Sequence, residues 1–186
     1  MGIFRNLLNG LKLSKLASMP DWERAHLASR TFAADGDWER AAMWGRIAVQ
    51  ENRASAEVWN DLGFALNGLG QAQWDTAPPE TLMPQASLPE QPLVELGDAG
   101  IRRSLARAEA IGTWEEAADA LARALAINPR FAQAFNNYGV AMLKCDRLAE
   151  GRDAFVSALQ LNPNYSNAKA NLAFAESQIA KLPDLS

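Results

Sequence analysis

Side chains that bind metals or act as nucleophiles are scarce in this chain of 186 residues, which has one cysteine, Cys145, and one histidine, His26. No disulfide can form within the chain, because a disulfide joins two thiols. A zinc site takes about three or four Cys, His or carboxylate ligands, and no nucleophile, base and orienting group can be named together. We therefore expect a protein that is not an enzyme and that needs no metal or other cofactor.

The chain also lacks an excess of positive charge and long apolar runs. The net charge is −4, and nucleic-acid binding is disfavoured because phosphate binding needs a basic surface. Arg5, Asn6 and Lys12 interrupt the apolar residues near the start of the chain, unlike the core of a signal peptide. No later stretch is long and apolar enough to span a bilayer. We expect no nucleic-acid partner, no integral membrane segment and a cytoplasmic location.

The chain does contain a sequence echo, in which similar residues recur at one constant spacing. The matched pairs are Glu116 and Glu150, Ala124 and Ala158, Ile127 and Leu161, Asn128 and Asn162, and Pro129 and Pro163. A period of about 34 residues is typical of helix-turn-helix units that cannot bury their apolar faces alone and therefore stack on copies of themselves.

Residues 132–165 resemble the tetratricopeptide repeat (TPR). They carry aromatic, small and proline residues at positions where the TPR pattern has them, namely Phe135, Tyr138, Gly139, Phe155, Ala158 and Pro163. Gly151 departs from the pattern, which usually has Ala there. The run from Trp59 to Gly63 is a literal match. The resemblance implies an all-α, right-handed superhelical solenoid, and we expect about four TPR-like units.

The repeats and the proline positions divide the chain into five segments. We expect an amphipathic helix at 1–19, TPR-like repeats at 20–70, an irregular Pro-rich acidic insert at 71–97, TPR repeats at 98–165, and a capping helix with a tail at 166–186. The first segment can cap the first repeat, mediate self-association or touch a membrane surface peripherally. Capping ranks first, because it needs no partner.

Glycines predict the turns between paired helices. Gly36 and Gly70 are one repeat period apart, but the step from Gly70 to Gly112 is longer than one period. The run from Thr113 to Glu116 resembles a capping box that opens a helix after Gly112. Five prolines lie between these sites, within 71–97, and each interior proline costs a helix about 3 kcal/mol. We therefore expect the insert to replace one repeat helix.

The sequence is compatible with three interpretations of the insert. It can be a solvated linker, a segment packed in place of the missing helix, or a recognition segment that covers a groove. From Ala54 to Ile101 the chain has no Lys or Arg. Arg102, Arg103 and Arg107 follow at once and can screen the acidic residues of this stretch.

In the TPR family the first helix of each pair lines a concave groove, at positions 2, 5, 6, 9, 12 and 13 of the repeat. His26, on the groove side of the first repeat, is a weaker candidate for a peptide contact. Amide side chains offer both a donor and an acceptor to an extended peptide. The resemblance implies peptide contacts at Asn60, Phe64, Asn67, Arg102, Gln133, Asn136, Asn137, Val140, Lys144, Asn167, Asn171 and Phe174.

The function that the resemblance implies is a non-catalytic adaptor or assembly chaperone for protein–protein interaction, which binds an extended segment of another protein. Small bacterial secretion chaperones have a similar size and repeat number. TPR proteins that grip a terminal carboxylate carry Lys at position 5 and Asn at positions 6 and 9, and this set is absent here. The alternative function is a self-associating scaffold that forms a homo-oligomer.

Overall fold

In the computed structural model, which describes residues 18–77 and 98–182, helices alternate with short turns and neither stretch contains a strand. The described helices are α1 (Asp21–Ala34), α2 (Trp38–Glu51), α3 (Ala56–Thr76), α4 (Asp98–Ile127), α5 (Ala132–Lys144), α6 (Leu148–Leu161) and α7 (Ser166–Ile179). The expected all-α solenoid architecture is confirmed. Residues 1–17 of the predicted amphipathic helix at 1–19, and most of the predicted insert, residues 78–97, lie outside the described residues.

The turn between α1 and α2 is where the sequence predicts it. Gly36 has a φ of 73°, in the left-handed region that glycine adopts without steric cost. Asp37 then caps α2, because its side chain accepts a hydrogen bond from the backbone N–H of Arg40. A left-handed glycine followed by an acidic N-cap thus reverses the chain over a short turn.

The predicted turn at Gly112 is wrong. Gly112 lies inside α4, a continuous helix of 30 residues, and the Thr113 hydroxyl oxygen lies 3.1 Å from the Glu109 carbonyl oxygen one turn earlier, as in a helix interior. A glycine within a helix costs about 1 kcal/mol relative to alanine. Burial of the neighbouring Trp114 side chain, which is 1% exposed, outweighs that cost.

Gly70 is likewise not a turn, because it lies inside α3. A Cβ atom at this position would come within 2.5 Å of the Trp114 Nε1 atom. Glycine is therefore needed here to let α3 and α4 approach each other around the indole ring. Helix α3 continues to Thr76, well into the stretch predicted as insert.

The two long helices form one pair. Residues 56–70 and 113–131 together make up a single repeat unit of the usual length, and residues 71–112 are an insertion inside it. The insertion therefore lengthens both helices of a complete unit, and the expectation that it replaces a repeat helix is wrong. The described helices make three pairs followed by α7, where the sequence predicted about four units.

The lengthened parts of α3 and α4 are held together by side chains. The rings of Trp74 and Trp114 lie 5.7 Å apart, and the Arg107 guanidinium lies 4.7 Å from the centre of the Trp74 ring. The Gln73 amide donates to Glu109 at 2.9 Å and accepts from the Thr113 hydroxyl at 2.7 Å. The lengthened parts of α3 and α4 thus pack against each other as antiparallel helices.

The core lies between the helices of successive pairs. The largest fully buried apolar side chains are Trp114, Phe32, Phe155, Leu66, Leu121, Met142 and Val58. Glycine permits the closest helix contacts, because a Cβ at Gly63 would meet the Leu121 side chain and one at Gly139 would meet the Phe155 ring. Each large side chain buried in this way contributes about 1.5–3 kcal/mol.

We expect Gly112→Ala to raise the free energy of unfolding by about 0.5–1 kcal/mol, because alanine is the better residue inside an exposed helix. No atom lies within 4 Å of the Cβ that the substitution would add. Gly36→Ala is the contrasting variant, and we expect it to lower stability by about 1–2 kcal/mol, because its left-handed φ strains alanine. Urea unfolding followed by circular dichroism measures both changes. A loss of stability in Gly112→Ala would contradict a continuous α4.

Candidate functional site

The first helix of each pair and the final helix, α1, α3, α5 and α7, lie side by side in the stack. We call the surface that these four helices share the inner face. Positions 5 and 6 of the repeat recur on it once in every unit. The inner face therefore brings together side chains that are far apart in sequence.

A chain of hydrogen bonds, which we call the polar ladder, joins these helices. The His26 Nε2 atom on α1 is 2.8 Å from an Asp61 carboxylate oxygen on α3. The Asn60 amide donates to the other Asp61 oxygen at 3.1 Å, and the Asn137 amide on α5 donates to the Asn60 oxygen at 3.1 Å. The ladder thus crosses from α1 through α3 to α5 with side chains alone.

The same pattern continues from α5 to α7. The Asn136 amide is 3.4 Å from the Asn137 oxygen, and the Asn171 amide donates to the Asn136 oxygen at 2.9 Å. In each bond between two helices, the residue at position 5 of one unit bonds the residue at position 6 of the next. The polar ladder therefore consists of His26, Asp61, Asn60, Asn137, Asn136 and Asn171.

Three predicted peptide contacts are buried in this ladder. Asn60, Asn136 and Asn137 are 1%, 5% and 7% exposed. A buried amide must be hydrogen-bonded, since an unsatisfied one costs about 1–3 kcal/mol. Each of the three amides bonds a neighbouring helix, which positions the helices, and a direct contact of these side chains with a peptide stays a prediction.

Other predicted residues stay accessible on the inner face. Phe64 is 44% exposed and Phe174 is 56% exposed, and both occupy position 9 of the repeat. Val140, at the same position of α5, is half-buried between them in the helix order. Gln133 and Asn167 are exposed, and Asn171 is half-buried. Position 9 therefore forms an apolar stripe across α3, α5 and α7.

Three further predicted residues lie in or near the insertion, with Arg102 inside it and Lys144 and Asn67 outside it. Lys144 donates to Gln71 at 2.6 Å and sits 5.4 Å from the Trp114 ring centre. Asn67 is half-buried and donates to the Asn137 carbonyl at 3.0 Å. Arg102 lies in α4, but its side chain is outside the described part of the molecule. The structure thus ties Lys144 and Asn67 to the packing of α3 against α5.

A cavity of about 270 Å³ opens between α1, α3 and α5 beside Phe64. The cavity is lined by Ser29, Arg30, Ala33, Ala34, Asp61, Phe64 and Gln133. The Arg30 Nε atom is 3.6 Å from an Asp61 oxygen, so this cation is partly balanced. Sequence reasoning did not include Arg30 among the peptide contacts, although it occupies position 9 of the first repeat, as Phe64 does of the second.

Cys145 is the free cysteine of the described residues. Burial raises the pKa of the Cys145 thiol, and the nearby Glu115 carboxylate adds to the shift. A raised thiol pKa leaves less of the nucleophilic thiolate. Residues 18–77 and 98–182 contain no group of three or more His, Cys, Asp or Glu side chains that could hold a metal ion. No described helix is long and apolar enough to cross a membrane.

Solved structures of TPR domains share this helix arrangement. The Arabidopsis OM64 TPR domain is 15% identical over 84% of this chain and 94% of that domain, with a TM-score of 0.59. The first TPR of Spaghetti (RPAP3), bound to the HSP90 peptide SRMEEVD, is 12% identical over 86% of this chain and 94% of that one, with a TM-score of 0.60. The Sgt2 TPR domain from Aspergillus fumigatus is 13% identical over 89% and 83%, with a TM-score of 0.59.

These likenesses confirm the TPR fold. The identities are 15%, 12% and 13%, and they carry no information beyond the fold. No protein-family model matches the chain, and no curated protein does.

We expect Asn137→Ala to lower the free energy of unfolding by about 1–3 kcal/mol, because it strands the buried Asn60 oxygen and the buried Asn136 amide. Asn167→Ala is the matched control, since Asn167 is an exposed amide on α7, and we expect a change within about 0.5 kcal/mol. Urea unfolding measures both. Equal, small effects would show that the ladder does not hold the helices together.

Proposed function

We propose that this protein is a non-catalytic adaptor that binds an extended segment of another protein on its inner face. The observation that carries the proposal is the apolar stripe at position 9, where two aromatic rings, Phe64 and Phe174, stand exposed above a hydrogen-bonded ladder. Exposed apolar side chains that recur in a row favour a protein-binding surface.

The spacing of the stripe suits an extended chain. Neighbouring packed helices lie about 8–10 Å apart. On the inner face only α5 lies between α3 and α7, so these two helices are separated by about 18 Å. An extended peptide advances about 3.3 Å per residue, and roughly six residues therefore cover that distance. The cavity beside Phe64 can take one side chain of such a peptide, with Arg30 and Gln133 at its edge.

The ladder supports the proposal by holding the surface in place before a partner arrives. A binding surface that is already ordered loses less conformational entropy on association than one that must be ordered. Asn60, Asn136 and Asn137 thus contribute to binding through the positions of α3 and α5, whereas Phe64, Val140 and Phe174 supply the contacts.

The preferred ligand, in this proposal, is apolar rather than acidic. Position 9 holds Arg30, Phe64, Val140 and Phe174 on the four inner helices, and position 5 holds His26, Asn60, Asn136 and Ala170. TPR proteins that grip a terminal carboxylate have lysine at position 5 and asparagine at position 9, and these two positions differ here. The HSP90 peptide bound by the RPAP3 domain ends in the acidic sequence EEVD, and we propose a segment with alternating apolar side chains here instead.

An assembly-chaperone role is the finer form of the proposal, because a surface that covers apolar side chains of an extended chain also protects that chain from aggregation. The cytoplasmic location and the absence of a nucleic-acid partner remain predictions from the sequence.

We expect selection from a random peptide library on the immobilised full chain to enrich peptides with apolar residues at alternate positions. Phe64→Ala combined with Phe174→Ala should weaken binding of the selected peptides at least about tenfold, because two exposed rings leave the contact surface. Fluorescence anisotropy of a labelled selected peptide measures the affinity.

The matched control is Ile127→Ala combined with Val156→Ala, which removes two exposed apolar side chains from α4 and α6, outside the inner face. We expect unchanged affinity in this variant. Equal losses in both variants, or peptides enriched only in acidic carboxyl termini, would contradict the proposed surface. A large assembly in light scattering that the inner-face variant abolishes would favour the self-associating scaffold instead.

A further inference from the structure

A second surface lies outside the inner face, in a groove between α2 and α4 with α3 as its floor. Two adjoining cavities of about 520 and 1050 Å³ make up the groove. Its walls include Gln73 and Thr76 near the end of α3, and Glu109 from the lengthened part of α4. The insertion at 71–112 therefore builds part of this groove, which a repeat unit of regular length would lack.

The groove carries an excess of negative charge. Arg40 is paired with Asp37, and Arg46 makes two hydrogen bonds of 2.7 Å to the Glu116 carboxylate. Each of these two cations thus has a carboxylate partner within the protein. Glu109 accepts its hydrogen bond from the neutral Gln73 amide, and no cation pairs with it among the described residues.

Two further carboxylates lie at the end of the groove where α2 begins. Asp35 and Glu39 line it, and neither forms a close ion pair with another described residue. One cation, Arg40, thus faces Asp37 as well as these two carboxylates, so Asp35, Glu39 and Glu109 leave the groove with an excess of negative charge. A cationic occupant complements these three carboxylates.

An apolar path leads into the groove along α2. Met43 lines the groove, and Ile47 follows one turn later, and both side chains are exposed. Leu69 supplies the apolar floor. Since α1 and α2 are antiparallel and joined by a tight turn, the Ile47 end of this path lies near the start of α1, where the described chain begins at Ser18.

The chain contains one segment whose charge and composition match this groove. Residues 1–17 carry three basic residues and no acidic one, beside several apolar residues. Residues 78–97, the other long stretch outside the described residues, carry three acidic residues and no basic one. Like charges repel, so the groove selects the first segment and disfavours the second. The basic residues of the first segment are Arg5, Lys12 and Lys15, and its leucines include Leu7, Leu8 and Leu11.

The length of the first segment is sufficient. A segment as long as 1–17 spans about 25 Å as a helix and up to about 60 Å when extended. The path along α2 from Ile47 to Asp37 is about 15 Å at the helical rise per residue. A segment of this length, joined to the described chain at Ser18, is therefore long enough to follow the groove.

We propose that residues 1–17 bind in the α2–α4 groove of their own chain, with leucine side chains on the apolar path and the cationic side chains facing the three carboxylates. The segment covers the exposed apolar side chains of α2 and joins the first helix pair to the lengthened parts of α3 and α4. Its occupant is thus a basic amphipathic segment, a different ligand from the apolar peptide proposed for the inner face.

Disulfide trapping in the full chain tests this proposal. In a Cys145→Ser background, Leu7, Leu8 and Leu11 are replaced by cysteine one at a time, each combined with Met43→Cys. Arg53→Cys is the matched partner site, because it is exposed and lies after the end of α2 that adjoins Ser18, outside the groove. We expect at least one position to form an intrachain disulfide with Met43→Cys about tenfold faster than with Arg53→Cys, because binding in the groove raises the effective concentration of the two thiols.

Charge reversal provides the second measurement. Lys12→Glu combined with Lys15→Glu should slow trapping at Met43→Cys about tenfold, because like charges then face each other in the groove. Adding Glu39→Lys should restore part of the rate, whereas adding Glu176→Lys on α7 should not. Equal trapping rates at the two partner sites would overturn the proposal. So would a rate that ignores the charge reversals, or a disulfide-linked dimer, which would place the segment of a second copy in the groove.

Discussion

The hydrogen bond between Asn60 and Asn137 is the contact on which the arrangement of the inner helices depends. Both amides are almost fully buried, and each has the other as a partner at 3.1 Å. Apolar packing alone is tolerant of small shifts between helices, whereas a buried amide that loses its partner is left unsatisfied at a cost of about 1–3 kcal/mol. The ladder therefore selects one register among the packings that the apolar surfaces would allow.

That register has a direct consequence for the surface above it. The ladder uses positions 5 and 6 of each repeat, and position 9 lies one turn further along the same helices. Fixing the ladder thus fixes the row formed by Phe64, Val140 and Phe174. Residues that bind the neighbouring helix and residues that stay exposed come from the same face of one helix, and burial separates the two groups.

The insertion adds a surface without disturbing the stack. Residues 71–112 enter one unit at the level of Gly70 and Gly112, where α3 and α4 already lie against each other around Trp114. Lengthening both helices together preserves their packing, so the lengthened parts of α3 and α4 project together. The groove beside α2 follows from that projection, and its charge follows from the residues that wall it. Two surfaces of different chemistry, one apolar and one acidic, therefore coexist in one small solenoid.

The sequence by itself determined the repeat, the all-α architecture and the ends of some helices, and only the tertiary structure decided which glycines are turns and which amides are available. The repeat period, the left-handed Gly36 and the Asn-Pro stops after α4 and α6 can be recognised in a single chain, because backbone conformation and helix capping act locally. Gly70 looks like Gly36 in sequence, yet it lies in a helix, because Trp114 packs against it from a neighbouring helix. Asn137 and Asn167 are likewise both asparagines at inner-face positions, and only the adjacent helix buries one and leaves the other exposed. Burial and partner choice depend on contacts between units, and these contacts join residues that are far apart in sequence, as in the bond from Asn137 to Asn60.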